Sequence, residues 1–255
     1  MPRPRGKDGF DIVVLNYNND GHIQKCIGSI LAKTEGQFNL IVVDQGSTDG
    51  SREWIVKNQT SISHLILNHE NSGAWEGRNQ ALRESRYPWV CFLDSDTEIQ
   101  DQNWIDKMWL YTIDSNVGIV EARVKLWDGT WRFAGFAACM IRKRVFREIG
   151  LFDGRFLIGG DLDFWTRFAW NGNWQIAFAD DTDIFHFCGA TLFKGERQGQ
   201  MINGALGHRR EELDEKYRKK LLRDKHAEHA IVDYLMPINR KREEEEIARG
   251  WRNAM

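Results

Sequence analysis

Residues 87–99, YPWVCFLDSDTEI, turn from apolar to acidic at Asp94. Val90, Cys91, Phe92 and Leu93 read as the end of a buried strand, and Asp94 and Asp96 stand at its polar exit. Two carboxylates one residue apart, in a turn leaving a strand, can aim at a single hard cation. Oxygen donors of this kind suit Mg²⁺, Mn²⁺ or Ca²⁺. Asp-x-Asp also serves turns and helix caps, so the motif alone leaves both readings open. Spacing excludes an EF-hand: counted from Asp94, the obligatory glycine position is Ile99 and the twelfth position is Ile105. No Gly-x-Gly-x-x-Gly follows the first strand and no Gly-x-x-x-x-Gly-Lys-Ser/Thr is present, which argues against a dinucleotide enzyme and a P-loop NTPase.

Acids placed this way need an ordered frame, and the chain before residue 100 supplies one. FDIVVLNY (10–17) reads as a buried strand, DGHIQKCIGSILAK (20–33) as a helix with Ile23, Ile27, Ile30 and Leu31 on one side, and FNLIVVD (38–44) as a second strand. STDGSREWIVKN follows as a helix capped by Asp49, SHLILNHE as a strand, SGAWEGRNQALRES as a helix and WVCFLD as a fourth strand. Strands alternating with helices predict an α/β fold with a mostly parallel central sheet flanked by helices. Ligands of such sheets bind at the carboxyl ends of the strands, and Asp44 and Asp94 both end predicted strands.

Later segments change pattern. VGIVEARVKL and WRFAGFAACMI read as strands of a mixed sheet, RKRVFREIG as a short helix closed by Gly150, and GGDLDFWTRFAWNGN as a helix starting near Asp161. WQIAFADDTDIFHF supplies one or two final strands. From Leu206 onward helix formers dominate, with Leu213, Tyr217 and Leu221 at helical spacing. This amphipathic tail is expected to pack on the core or to pair two copies as a homodimer. Contact with the acceptor or with a membrane surface is the alternative.

Composition narrows the partners. A formal net charge of −2 gives no global field for nucleic acid or an anionic membrane. Cys26, Cys91, Cys139 and Cys188 are scattered without a Cys-x-x-Cys pair and read as reduced core thiols. The short apolar run ending at Asn16 is neither a signal peptide nor a membrane span, so a cytoplasmic location, free or peripheral to a membrane, is expected.

Four segments in order, VVLNYNN, LIVVDQGSTDGS, ENSGAWEGRNQAL and CFLDSDTEI, resemble the motifs of the family 2 glycosyltransferases, whose glycosyltransferase-A fold binds nucleotide sugars. The likeness continues through CMIRKRVFREIGLFDGRF, GGDLDFWTRFAWNGN and DIFHF. It implies a catalytic domain over 1–205 and a separate tail over 206–255. The resemblance makes Asp44 a contact of the nucleotide base, with Asn16 lining the same pocket. Gly73 would let backbone approach the nucleotide, Arg78 would reach phosphate, and Asp94 and Asp96 would hold ribose and Mn²⁺ or Mg²⁺. His186 would add a metal ligand. The family's acidic pair is incomplete here: Gly160 stands in place of its first acid, and Asp161 aligns with the general base, with Asp163 as the alternative. Each residue also has a plain structural reading: Asp44 or Asp161 as a helix cap, Arg78 in a surface salt bridge, His186 in the core.

The activity so implied is inverting transfer of a sugar from a nucleotide donor, commonly a UDP-sugar, to a hydroxyl of a glycan or other acceptor. Trp127, Trp131, Trp165 and Trp170 lie where such acceptors bind, although core packing explains most tryptophans. A sugar nucleotidyltransferase should carry a glycine-rich, lysine-bearing signature near the first strand, which VVLNYNNDGHIQK lacks. A non-catalytic sugar-nucleotide-binding or scaffolding protein remains the rival, because of Gly160 and the charged tail.

Overall fold

The computed structural model describes residues 9–156 and 160–187; the expected tail and Cys188 lie outside the described residues. The chain runs β1 (Phe10–Asn16), α1 (His22–Lys33), β2 (Phe38–Asp44), α2 (Ser51–Lys57), β3 (His64–Leu67), α3 (Ala74–Glu84), β4 (Trp89–Asp94), β5 (Thr97–Ile99) and α4 (Trp104–Leu110). It continues through β6 (Val117–Leu126), β7 (Trp131–Phe133), β8 (Ala138–Arg142), α5 (Lys143–Ile149), α6 (Gly160–Asn171) and β9 (Gln175–His186).

The described strands form one nine-stranded sheet in the order β3-β2-β1-β4-β8-β6-β9-β5, with β7 added on β6. The first four positions are parallel, as the βαβ alternation predicts. Beyond β4 the sheet is mixed: β8 runs antiparallel to β4 and β6, β9 parallel to β6, and β5 antiparallel to β9. Side-chain alternation sorts the strand residues onto two faces. Ile12, Val14, Leu40, Val42, Cys91 and Leu93 pack with Ile23, Ile27, Trp104 and Met108 of α1 and α4. Val13, Ile41, Val43, Val90 and Phe92 face the other way, onto an aromatic cluster built from Trp75, Phe136, Phe146, Phe152 and Phe164. Helix α1 is held on the sheet by burying Ile23, Cys26, Ile27 and Ile30 along one stripe.

Three local readings change. The WRFAGFAACMI segment is two strands, β7 and β8, separated by a 3₁₀ turn in which Gly135 has φ +55°, a left-handed conformation that breaks strand pairing. Strand β5, three residues long, hides inside the acidic segment because it is too short to show a period. Asp49 sits one residue ahead of the α2 cap, which is Gly50, but its Oδ1 still accepts the Ser51 N–H at 3.2 Å. Cys26, Cys91 and Cys139 are buried free thiols, as expected, and burial pushes the pKa of the Cys26 thiol up to about 12. Among the described residues, no helix is long and apolar enough to cross a membrane.

Trp104 is fully buried, and its indole Nε1 donates to Thr34 Oγ1 at 3.2 Å. Trp104→Ala is therefore expected to cost about 3–5 kcal/mol, measured by urea unfolding followed by circular dichroism. A loss below about 1 kcal/mol would show that this face of the core re-closes around the missing ring.

Candidate active site

The parallel register sets Asn16 opposite Asp44 and Leu15 opposite Asp94, so the polar ends of β1, β2 and β4 open on the same edge of the sheet. After Asp94 the chain turns sharply. Thr97 Oγ1 donates to the Asp94 carbonyl at 2.8 Å, and Asn19 Nδ2, from the loop after β1, donates to Ser95 Oγ at 2.8 Å. Strand β5 then pairs with the end of β9, placing Thr97 opposite His186, and the Phe187 N–H donates to the Asp96 carbonyl at 2.9 Å. Two distant segments thereby meet.

His186 Nε2 lies 3.2 Å from Asp96 Oδ1 and 3.9 Å from Asp94 Oδ2. One ligand atom from each of the three residues falls within 4.8 Å of the others. Ligands about 2.1 Å from a Mg²⁺-sized ion are separated by about 3 Å when adjacent and about 4 Å when opposite. The set therefore fits a divalent cation after a small contraction; the two carboxylates suit Mn²⁺ or Mg²⁺, and the added imidazole favours Mn²⁺ of the two. Electrostatics agree with that use. Burial works to lower the His186 pKa, but the hydrogen bond to Asp96 and the charges of Asp96 and Asp94 outweigh it and raise the group above its ordinary value. Burial raises Asp94, and Asp96 adds to the rise, against the opposing pull of Arg78 and His186. A cluster with this concentration of negative charge gains by admitting a cation. His186 Nδ1 is buried without a hydrogen-bond partner among the described residues.

Arg78 is buried, and its Nη2 donates to Asp94 Oδ1 at 3.0 Å. The guanidinium is thus committed to the acid, and its carbon sits 4.8 Å from the centroid of Trp75. The surface salt bridge considered from the sequence is instead a pairing inside the site between a buried guanidinium and a half-buried carboxylate. Asn16 and Asp44 are also inside the protein. Asn16 Nδ2 is within reach of Asp44 Oδ1 at 2.8 Å, Ser47 Oγ at 3.0 Å and Ser51 Oγ at 2.9 Å, while Asp44 Oδ2 accepts the Ser47 N–H at 3.2 Å and pairs with Arg52 at 3.5 Å. In this conformation the pair fastens the loops after β1 and β2 to each other. Gly73 has φ +89°, which only glycine adopts without strain, and its carbonyl accepts Gln45 Nε2 at 2.9 Å. Gln45 Oε1 in turn accepts from Asn68 Nδ2 at 2.8 Å and Ser72 Oγ at 3.0 Å. This bracket around the 71–73 turn was missed from the sequence; its one signal is a glutamine immediately after the strand-ending Asp44.

Asp161 and Asp163 separate as helix geometry predicts, since residues two apart project about 200° from one another. Asp161 is exposed in the first turn of α6. Asp163 is fully buried and gripped by Arg167 Nη2 at 2.7 Å and Nε at 2.9 Å. Arg167 also donates to the carbonyls of Ile149 and Leu151 at 2.6 and 3.0 Å, closing the end of α5. Arg167→Ala is expected to destabilise the fold by about 3–5 kcal/mol, because it strands a buried carboxylate, and the midpoint of urea unfolding checks this. Of the four tryptophans in the acceptor region, Trp127 and Trp131 are exposed, whereas Trp165 is half-buried, its ring centroid 5.3 Å from that of Phe136 at the edge of the core.

Comparisons with known proteins agree with this fold. The chain is 24% identical over 199 residues to the glycosyltransferase AglE of Haloferax volcanii, covering 67% of this chain and 64% of the relative. It is 33% identical over 108 residues to the glycosyltransferase GlyA of Streptococcus pneumoniae, covering 42% of this chain and 14% of the relative. The chain thus spans less than two thirds of the length of either relative. Among solved structures it superimposes on S. aureus TarS 1-349 in complex with UDP-GlcNAc with a TM-score of 0.61 and 19% identity, covering 74% of this chain and 60% of that one. The mannosyltransferase PcManGT of Pyrobaculum calidifontis, in complex with GDP-Man and Mn²⁺, matches with a TM-score of 0.59 and 18% identity, covering 76% and 60%. These likenesses carry the glycosyltransferase-A fold. The family model of glycosyl transferase family 2 matches residues 11–155, more than half of the chain and all of the strand-end acids discussed above, and the chain belongs to that family.

Proposed function

We propose that this protein is an inverting glycosyltransferase that moves a sugar from a nucleoside-diphosphate donor, with UDP-sugars favoured, to a hydroxyl of a glycan or other acceptor. The observation that carries the reading is the convergence of Asp94, Asp96 and His186 from two separate chain segments. Structural neighbours whose complexes hold UDP-GlcNAc, or GDP-Man with Mn²⁺, support it by fold.

In this reading Asp94, Asp96 and His186 hold Mn²⁺ or Mg²⁺, and Asp94 also faces the ribose. Bound there, the cation supplies charge neutralisation for the departing diphosphate. Asn16 and Asp44 keep the nucleotide side of the crevice in shape, and Gly73 lets backbone approach the nucleotide. Arg78 stands on the phosphate side and holds Asp94 in place. Asp161, exposed at the start of α6, takes the proton from the acceptor hydroxyl. The new bond forms between that oxygen and the anomeric carbon as the bond to the phosphate oxygen breaks, and the diphosphate leaves with the electron pair. Attack from the side opposite the leaving group inverts the configuration. Such a step depends more on orientation and charge placement than on nucleophile strength.

A thermal-shift panel of UDP-, GDP- and dTDP-sugars, each with and without Mn²⁺, tests the proposal. A donor present at about 100 times its dissociation constant stabilises the native state by about 2.7 kcal/mol, a rise of several degrees in Tm for a domain of this size. The expected result is a rise with one nucleotide class that requires Mn²⁺. No shift with any nucleotide in the presence of Mn²⁺ would refute the reading.

A further inference from the structure

Trp75, in the first turn of α3, is 6% exposed. Its ring packs on Phe136 and Phe152, with centroid separations of 5.2 and 5.4 Å. The indole N–H is buried and makes no hydrogen bond among the described residues, so ring shape and contact hold this side chain rather than a polar anchor. Two of its neighbours belong to the site. The Arg78 guanidinium carbon lies 4.8 Å from the ring centroid, and Arg78 is the residue that grips Asp94. Gly160, the first residue of α6 and the neighbour of Asp161, also stands against the ring. A Cβ placed on Gly160 would lie 2.7 Å from Trp75 Cδ1 and Nε1 and 2.9 Å from Cδ2, closer than carbon atoms approach without displacement. Residue 160 therefore cannot carry a side chain while Trp75 holds this position. The steric conflict gives a physical reason for glycine at 160.

We infer that Trp75 is a positioning residue: its indole braces Arg78, and through it Asp94, against the first turn of α6, with Gly160 as the complementary half of the contact. The inference rests on the roles proposed above for Asp94 and Asp161. A cation–π contact in a desolvated setting restrains the guanidinium, and a planar ring packed against the first turn of a second helix resists displacement of that helix. Small displacements of supporting groups are enough to loosen a metal cluster or misplace a base.

The test is a double-mutant cycle in the full chain: wild type, Gly160→Ala, Trp75→Leu and the double variant. Tm is measured by circular dichroism, and Mn²⁺ affinity by the loss of the free-ion electron paramagnetic resonance signal. Gly160→Ala alone should lower Tm by about 3–8 °C. Added to Trp75→Leu, the same change should cost less than about 1 °C, because the opposing ring is gone. Trp75→Leu should weaken Mn²⁺ binding by about 3- to 10-fold, less than the roughly 10- to 100-fold lost when a direct hydrogen-bond partner of a ligand is removed, because Trp75 acts through Arg78. A residue of purely structural importance would lower Tm without moving that affinity. If Trp75→Leu does not fold, Trp75→Met repeats the cycle, since its unbranched, flexible side chain removes the ring atoms that oppose Gly160. Additive Tm losses, or unchanged Mn²⁺ affinity in a folded Trp75 variant, would overturn the inference while leaving the proposed function intact. Absence of Mn²⁺ uptake by the wild type would instead remove the metal site, and with it the role of Trp75 in positioning Asp94.

Discussion

Asp96→Asn should leave a folded protein that has lost at least about 10²-fold in transfer and at least about 10-fold in Mn²⁺ affinity. The substitution keeps the volume of the side chain and removes one of the two charges that converge with His186. Asp96 is only 9% exposed, and its Oδ1 lies 3.2 Å from His186 Nε2, so solvent cannot replace the lost carboxylate as a ligand. The fold should tolerate the change because the turn itself is fastened by backbone: the Asp96 carbonyl accepts the Phe187 N–H at 2.9 Å, and Thr97 Oγ1 closes on the Asp94 carbonyl at 2.8 Å. Turnover of the nucleotide sugar identified by thermal shift and the Mn²⁺ titration are read side by side. Wild-type affinity for Mn²⁺ in a folded Asp96→Asn protein would mean that the cluster is not a metal site.

Asp161→Asn should be as damaging to transfer, about 10²- to 10⁴-fold, by a different route. An exposed side chain in the first turn of a helix contributes little to packing, so Tm should stay within a degree or two. Donor and Mn²⁺ affinity should also remain within about twofold, because the metal-ligand set does not include Asp161. This combination separates a lost proton acceptor from a lost binding group. Asp163→Asn is the informative control: its carboxylate is buried under Arg167, so the expected consequence is a lower unfolding midpoint. Near-normal turnover by Asp161→Asn would remove the base assignment and redirect the search for the proton acceptor.

Part of this site could be read without coordinates because local periodicity reports local burial. The alternation of FDIVVLNY, FNLIVVD and WVCFLD with helical segments predicts the parallel half of the sheet, and strands that end in Asp44 and Asp94 bring those acids to one edge of it. The opposite orientations of Asp161 and Asp163 follow from helical geometry alone, as does the Asp163–Arg167 pair at a spacing of four residues. Strand β5 was invisible because three residues carry no measurable period, yet it is the strand that brings His186 beside the two carboxylates. In the sequence only the family resemblance points to His186; its own neighbours, Phe185 and Phe187, describe an ordinary core position.

By itself the sequence determined the α/β alternation and the acidic exits of two strands, since each is set by side-chain order over a few residues; Asp161 as the candidate base rests on the family resemblance. Tertiary structure alone decided that Arg78 is committed to Asp94, that Asp44 is locked to Asn16, and that Trp75 fills the space beside Gly160. The physical reason is range. Hydrophobic period and helix geometry act between near neighbours along the chain, whereas these contacts join surfaces whose separation depends on strand register and on how side chains from different elements share volume.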